Sequence, residues 1–285
     1  MLVLVLPLLV VAPASAGSSG LSIAGSFDPG DAALVPTEML GVTLQVATDA
    51  SYPPDEWEQG TTMVGLDVDL MRALSATLGL KYVEDNVPFD NIVGGVRADK
   101  YQIGNSSIPD TKALETSVNF VDYLRGGESL FAVSRSGATF KDLADLCGLV
   151  VGVVRGSVEQ SAANAEVAKC PAGTNLSVLA FSSDAKLDGA VLGGQVAVGF
   201  VDSEEAGYLV SKSKDVLKLV GDAIDDVSFG LVTAKGPAGK ELALALWSAL
   251  KTLEANGTYQ AILAKWGASA EALPLHLITI NGATF

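Results

Sequence analysis

Two successive runs of alternating strand and helix patterns confine this chain to an α/β fold with two largely parallel sheets. Residues 42–47 alternate apolar and polar, as a half-buried strand does. Residues 65–79 then set Leu70, Met71, Leu74 and Leu78 along one helical face and stop at Gly79. Strand 80–83, helix 91–98 and strand 101–105 complete a β-α-β-α-β unit. The pattern restarts with strand 130–133, short helix 140–146 and the continuous apolar run 149–154, which suits a strand buried on both faces. Helix 157–168, strand 176–181, helix 184–192, strand 196–201 and helix 203–210 follow. After strand 229–233 comes a long amphipathic stretch, 239–266, interrupted at Asn256-Gly257. This helical end has no sheet of its own and is predicted to return over the first unit.

Charge excludes one large class of partners. The chain has 18 Lys+Arg against 33 Asp+Glu, a net charge of −15, and no cation before Arg72 although nine acids lie between Asp28 and Asp69. Nucleic-acid binders carry basic stripes, so no nucleic-acid partner is expected. At 49% hydrophobic and 18% charged, the chain can bury a sizeable core and is not disordered. One histidine, His276, and two cysteines, Cys147 and Cys170, are too few for a structural Cys/His zinc site and leave little room for histidine-dependent catalysis. Neither metal nor cofactor is expected.

Residues 2–12 form an apolar run of h-region length, too short to span a bilayer, followed by the small-residue sequence Pro13-Ala-Ser-Ala-Gly17. Residues 1–16 therefore read as a signal peptide, although no basic n-region precedes the run, and an exported, periplasmic or cell-surface location is expected. Residues 17–41, rich in Gly, Ser, Pro and Asp, read as a linker. In an oxidising compartment two cysteines are usually a bridge, whereas two cytosolic thiols are more often independent core residues. Neither lies near the leader's end, where a lipid would attach.

A set of ordered motifs carries a family resemblance: Ala47-Thr-Asp-Ala-Ser-Tyr-Pro-Pro54, Val64-Gly-Leu-Asp-Val-Asp-Leu70, Pro88-Phe-Asp90, Asp110-Thr-Lys112 with Val118-Asn-Phe-Val-Asp-Tyr123, and Gly257-Thr-Tyr259 with Lys265-Trp-Gly267. Together they resemble the family 3 extracellular solute-binding proteins, the capture subunits of ABC importers for polar amino acids. The resemblance implies a type 2 periplasmic binding protein fold: two α/β lobes joined by two crossing segments, with a cleft that closes on solute by hinge motion. Lobe one would comprise 42–129 plus 228–268, lobe two 130–227, and 269–285 a C-terminal tail. It also implies no enzymatic activity, a small solute of the amino-acid or amine class, a membrane permease as partner and a monomeric state. A ligand-altered sensory relative and a dehydratase-like enzyme are the alternatives. Cys147 and Cys170 resemble a bridge found in Gram-positive members.

Site residues follow from the same resemblance. The loop from Asp49 follows a strand's carboxyl end, where open α/β sheets place ligands. Tyr52 and Phe89 would form opposing aromatic walls, suited to an apolar, planar or cationic group; Phe89 also suits the core, and Trp57 the lobe's rim. Asp67 and Asp69 begin a helix and suit its N-terminal dipole. Asp202 matches the aspartate that binds an α-ammonium, and locally it also suits a helix N-cap. Gly156-Ser157 opens a helix and would offer N–H groups to a carboxylate. Ser107 keeps its family position as a contact through hydroxyl or carbonyl. The departure is at the carboxylate clamp: Leu114 stands where relatives carry arginine, and Pro109 where they carry a hydroxyl. Arg155 or Lys112 would have to substitute; a solvated surface cation is the alternative for each. Without a substitute, the acidic loop with Asp49, Asp55, Glu56 and Glu58 favours a ligand that is cationic or lacks a free α-carboxylate.

Overall fold

The computed structural model describes residues 23–137 and 139–284, so the expected leader lies outside the described residues. In chain order the strands are β1 (Thr43–Thr48), β2 (Ser51–Tyr52), β3 (Glu56–Gln59), β4 (Thr62–Val64), β5 (Lys81–Asn86), β6 (Ile103–Pro109), β7 (Val118–Val133), β8 (Val150–Val154), β9 (Ser177–Phe181), β10 (Val198–Asp202) and β11 (Leu217–Ala234). The helices are α1 (Pro29–Ala32), α2 (Leu66–Leu78), α3 (Phe89–Arg97), α4 (Lys112–Glu115), α5 (Val158–Val167), α6 (Asp184–Leu192), α7 (Ser203–Lys212), α8 (Pro237–Ala255) and α9 (Thr258–Trp266).

The strands join in the order β5-β1-β6-β11-β7-β10-β8-β9. That order contains the same five-strand arrangement twice. In lobe one, parallel β5, β1 and β6 are followed by antiparallel β11 and then β7. In lobe two, parallel β9, β8 and β10 are followed by antiparallel β7 and then β11. Both lobes share β7 and β11, which pair from Val118↔Ala234 to Val133↔Leu217 and cross between the lobes. Their register shifts between Val220 and Ile224, between Ile224 and Val227, and between Phe229 and Gly230, so the ladder is interrupted where the chain changes lobe. The sequence shows only the ends of these long strands, because glycines and charges from Arg125 to Glu128 and from Gly221 to Asp222 break the apolar pattern between them.

Lobe one is covered by the returning helical end. Leu242, Leu246, Leu250 and Leu253 of α8, with Tyr259 and Ile262 of α9, bury against Leu70 and Leu74 of α2 and Val46 of β1. The helix stops that the sequence shows at Gly79 and Asn256-Gly257 are present, and Gly79 and Gly257 take positive φ as helix-end glycines do. Asp69 on α2 accepts from Trp266 Nε1 at 2.9 Å and pairs with Lys265, which fastens α9 to α2.

Two segments outside the expected lobes pack against lobe one. The expected linker is packed onto lobe one over its described part. Asp28 caps α1 by accepting from the N–H groups of Gly30 and Asp31 at 2.8 and 3.0 Å, and its own N–H donates to Thr77 O at 2.9 Å. Val35 joins the core. Gly25 passes so close to α2 that a Cβ there would lie 2.1 Å from Ala73 O, which explains a glycine where composition alone suggests flexibility. The C-terminal tail is likewise docked. Thr279 Oγ1 donates to Asp122 at 2.7 Å, Gly282 N to Asp110 at 3.0 Å and Ala283 N to Glu115 at 2.9 Å.

Cys147 and Cys170 form a disulfide, with Cα atoms 5.5 Å apart and 23 residues between them in sequence. It ties the chain after α5 to the turn before β8 in lobe two. Loop closure of that length is worth roughly 3 kcal/mol on the chain-entropy model. The double variant Cys147→Ser/Cys170→Ser is therefore expected to lower Tm by on the order of 5–10 °C in a calorimetric scan. An unchanged Tm would show that the bridge does not constrain this loop.

Candidate functional site

The carboxyl ends of β1, β6, β8 and β10 converge between the lobes, where they and the helices that follow line a small cleft cavity. Lobe one contributes Asp49, Tyr52, Phe89, Ser106, Ser107 and Pro109. Lobe two contributes Val154, Ser157 and Glu159, the strand end Phe200-Val201-Asp202, and Asp184 and Glu205. Five lining residues carry carboxyl groups and none is basic.

Each side chain is placed by its local structure. Asp49 accepts from Ser51 Oγ at 2.7 Å and from Phe89 N at 3.0 Å, which fixes the loop after β1 against the start of α3. Both of its oxygens are thereby engaged, so it organises the cleft wall. Phe89 belongs to two apolar clusters, packing on Phe131 and Val154 of lobe two and on Ala47 and Ile92 of lobe one. It is cleft wall and core at once, because the lobes close onto it. Tyr52, in the small β2-β3-β4 sheet, donates its hydroxyl to Asp202 Oδ2 across the cleft. Asp202 occupies the N-cap position of α7 but makes no side-chain cap bond; its carboxyl faces the cleft. It is 7% exposed, and Oδ1 has no hydrogen-bond partner. Burial, then the charges of Glu159 and Glu204, push it well above the usual carboxylate range.

Two of the expected contact positions are engaged within the chain in this structure. The hydroxyl of Ser107 is turned away from solute. It donates to Asp55 at 3.0 Å, while Ser107 N donates to Asp67 at 2.8 Å and Tyr123 OH lies 3.2 Å away. This cluster of buried acids holds Ser107 at φ +37°, and only its backbone is left for the cavity. At the Gly156-Ser157 turn, Gly156 N donates to Gln160 Oε1 at 2.7 Å and Ser157 N to Val154 O at 3.4 Å, while Ser157 Oγ caps α5 by accepting from Gln160 N at 3.1 Å. The same helix start carries buried Glu159. Burial raises its carboxyl, against hydrogen bonds from Ser157 and its own N–H. A carboxylate already occupies the positive end of the helix.

Arg155 does not line the cavity. It pairs with Asp90 of lobe one at 3.6 Å and is 54% exposed, so the acid at the rim draws it out of the cleft. Lys112 donates to Thr284 O at 2.8 Å in the docked tail and is also absent from the lining. Leu114 lines a neighbouring apolar pocket with Phe89, Val93, Ile108, Pro109 and Val158. Leu114 therefore faces a mainly apolar patch with Asp90 at its side. Trp57 packs at the rim between Tyr208 and Trp266, with ring centroids 6.1 and 5.3 Å apart.

Glu159, Asp184, Glu205 and Phe200 are among the lining residues that the sequence reading did not assign to the site. Each acid begins a helix and reads locally as a dipole partner. The missed signal is that three helices after three strand ends, α5, α6 and α7, all begin with acids.

Two α/β lobes sharing two crossing strands, with an acid-lined cavity between them, define a cleft-closing solute-binding protein. Residues 44–269 match the bacterial extracellular solute-binding proteins, family 3, and the chain belongs to that family. It is 27% identical over 228 residues to the arginine-binding protein ArgT of Corynebacterium glutamicum, covering 79% of this chain and 74% of that one. It is 28% identical over 243 residues to the L-arginine-binding protein of Pseudomonas aeruginosa, covering 81% and 90%. Among solved structures, an ancestral arginine-binding protein bound to arginine superposes with a TM-score of 0.73 at 26% identity, covering 80% of this chain and 99% of that one.

Proposed function

We propose that this protein is the extracytoplasmic capture subunit of an ABC importer, closing on a small cationic solute that lacks a free α-carboxylate and delivering it to a membrane permease. The observation that carries the reading is the cavity lining: five carboxyls and no basic side chain. A buried anion without a counter-charge is costly, so a cation is the occupant that relieves this lining. The relatives named for arginine support a cationic solute. Leu114 and Pro109 supply no cation to a carboxylate in the lining, and the hydroxyls of Tyr52, Ser106 and Ser107 donate to Asp202, Glu56 and Asp55.

A melting screen of native protein against primary amines, guanidines, glutamine and glutamate tests this. At a hundredfold excess over Kd, a cationic solute is expected to raise Tm by on the order of 5 °C by mass action, with no shift from glutamate. A larger shift with glutamate than with any cation would overturn the reading.

A further inference from the structure

Four of the five cavity acids fall in two groups at the helix starts, and Asp49 and Glu159 act on Asp184 across them. At the first, Asp202 at the end of β10 lies beside Glu159 in the first turn of α5, and Tyr52 reaches it from lobe one. At the second, Asp184 opens α6 and Glu205 sits in the first turn of α7. Asp188, one turn along α6, adds to it: burial raises the Glu205 carboxyl first, then the charges of Asp184 and Asp188, ahead of Asp202 and Glu159.

Each centre keeps buried oxygens without a donor. Asp202 Oδ1 is such an atom at the first; at the second, both carboxyl oxygens of Glu205 are, in a residue 0% exposed. One monovalent cation bound at Asp202 would leave Glu205 buried and unpaired. Rings of Phe89 and Phe200 and the side chains of Val154 and Val201 supply apolar lining beside the two centres, suited to methylene groups.

We propose that the solute carries two cationic groups joined by a short aliphatic chain, with no carboxylate: one group binds at Asp202 and the other at Glu205 and Asp184. The class is an α,ω-diamine or an amino-guanidine. The inference rests on the cationic reading of the cleft and adds the second charge.

Calorimetric titration of native protein with the diaminoalkanes from three to six carbons, each against the monoamine of equal length, tests it. The best diamine is expected to bind at least about thirtyfold tighter than its monoamine, the gain from pairing a second buried carboxylate. Glu205→Gln is expected to shrink that advantage to less than about threefold. Equal affinity of monoamine and diamine would overturn the second centre and leave the cationic reading standing. So would a diamine advantage that Glu205→Gln leaves intact. If neither amine series binds while glutamate does, both readings fail.

Discussion

Asp202→Asn is expected to weaken binding of a cationic solute by at least about thirtyfold, while Asp215→Asn, which removes an equal charge from the exposed surface, leaves it within about twofold. The reason is local. Asp202 is the carboxyl that both lobes address: it ends β10 in lobe two and accepts from the Tyr52 hydroxyl of lobe one. Its Oδ1 is buried without a partner, so a bound ammonium gains a charge-assisted hydrogen bond in a site shielded from water. Removing one member of such a pair costs roughly 2–5 kcal/mol, which is the thirtyfold or more expected in Kd. The same substitution should raise the Tm of the ligand-free protein above neutral pH, because it removes an anion that burial disfavours. Weaker binding accompanied by lower ligand-free stability would indicate damage to the fold instead.

The ligand-free protein is expected to lose stability as pH rises from about 5 to 8, with a Tm lower by about 5 °C or more at the upper end. Burial raises Asp67 from 3.8 to about 6, against bonds from Tyr123 and Ser107. It raises Glu84 from 4.5 to about 7 and Asp188 from 3.8 to about 7. Glu204 is raised from 4.5 to about 8 for the same reason, with the charges of Glu271 and Glu159 adding to it. Each group holds its proton in the folded chain after the unfolded chain has released it. The stability this contributes is therefore full below about pH 4 and lost as pH climbs through about 6 to 8. Melting curves between pH 5 and 8 in matched ionic strength measure it directly. A Tm that rises over that interval would contradict the account, because it requires carboxyls depressed by native partners.

Much of the fold is legible in the sequence because its strands and helices are locally self-consistent. The runs at Val150–Val154 and Val198–Asp202 read as buried strands on their apolar content, and the helical end reads correctly from Gly79 and Asn256-Gly257. The shared strands β7 and β11 do not, because their middles are polar and their pairing joins residues about a hundred apart in sequence. Residues 23–41 look like a linker on composition, and only their contacts with α2 and α8 show otherwise. Within the cleft, Tyr52, Phe89 and Asp202 stand where strand ends place them. Glu159, Asp184 and Glu205 could not be assigned from local pattern, since an acid in the first turn of a helix is ordinary. Their convergence is a property of the closed lobes. Arg155 illustrates the reverse: its position after β8 suits a clamp, and Asp90 from the opposite lobe takes it to the rim.

The central claim is that this cleft is built for positive charge without a carboxylate, and two solutes that differ by that one group separate it from the alternatives. Calorimetric titration of the native protein with agmatine and with arginine, under identical buffer conditions, is the direct measurement. The account expects agmatine to bind at least about thirtyfold tighter, since arginine would bring a carboxylate into a cavity of five acids with no cation to receive it. Arginine binding as tightly as agmatine, or tighter, would contradict it.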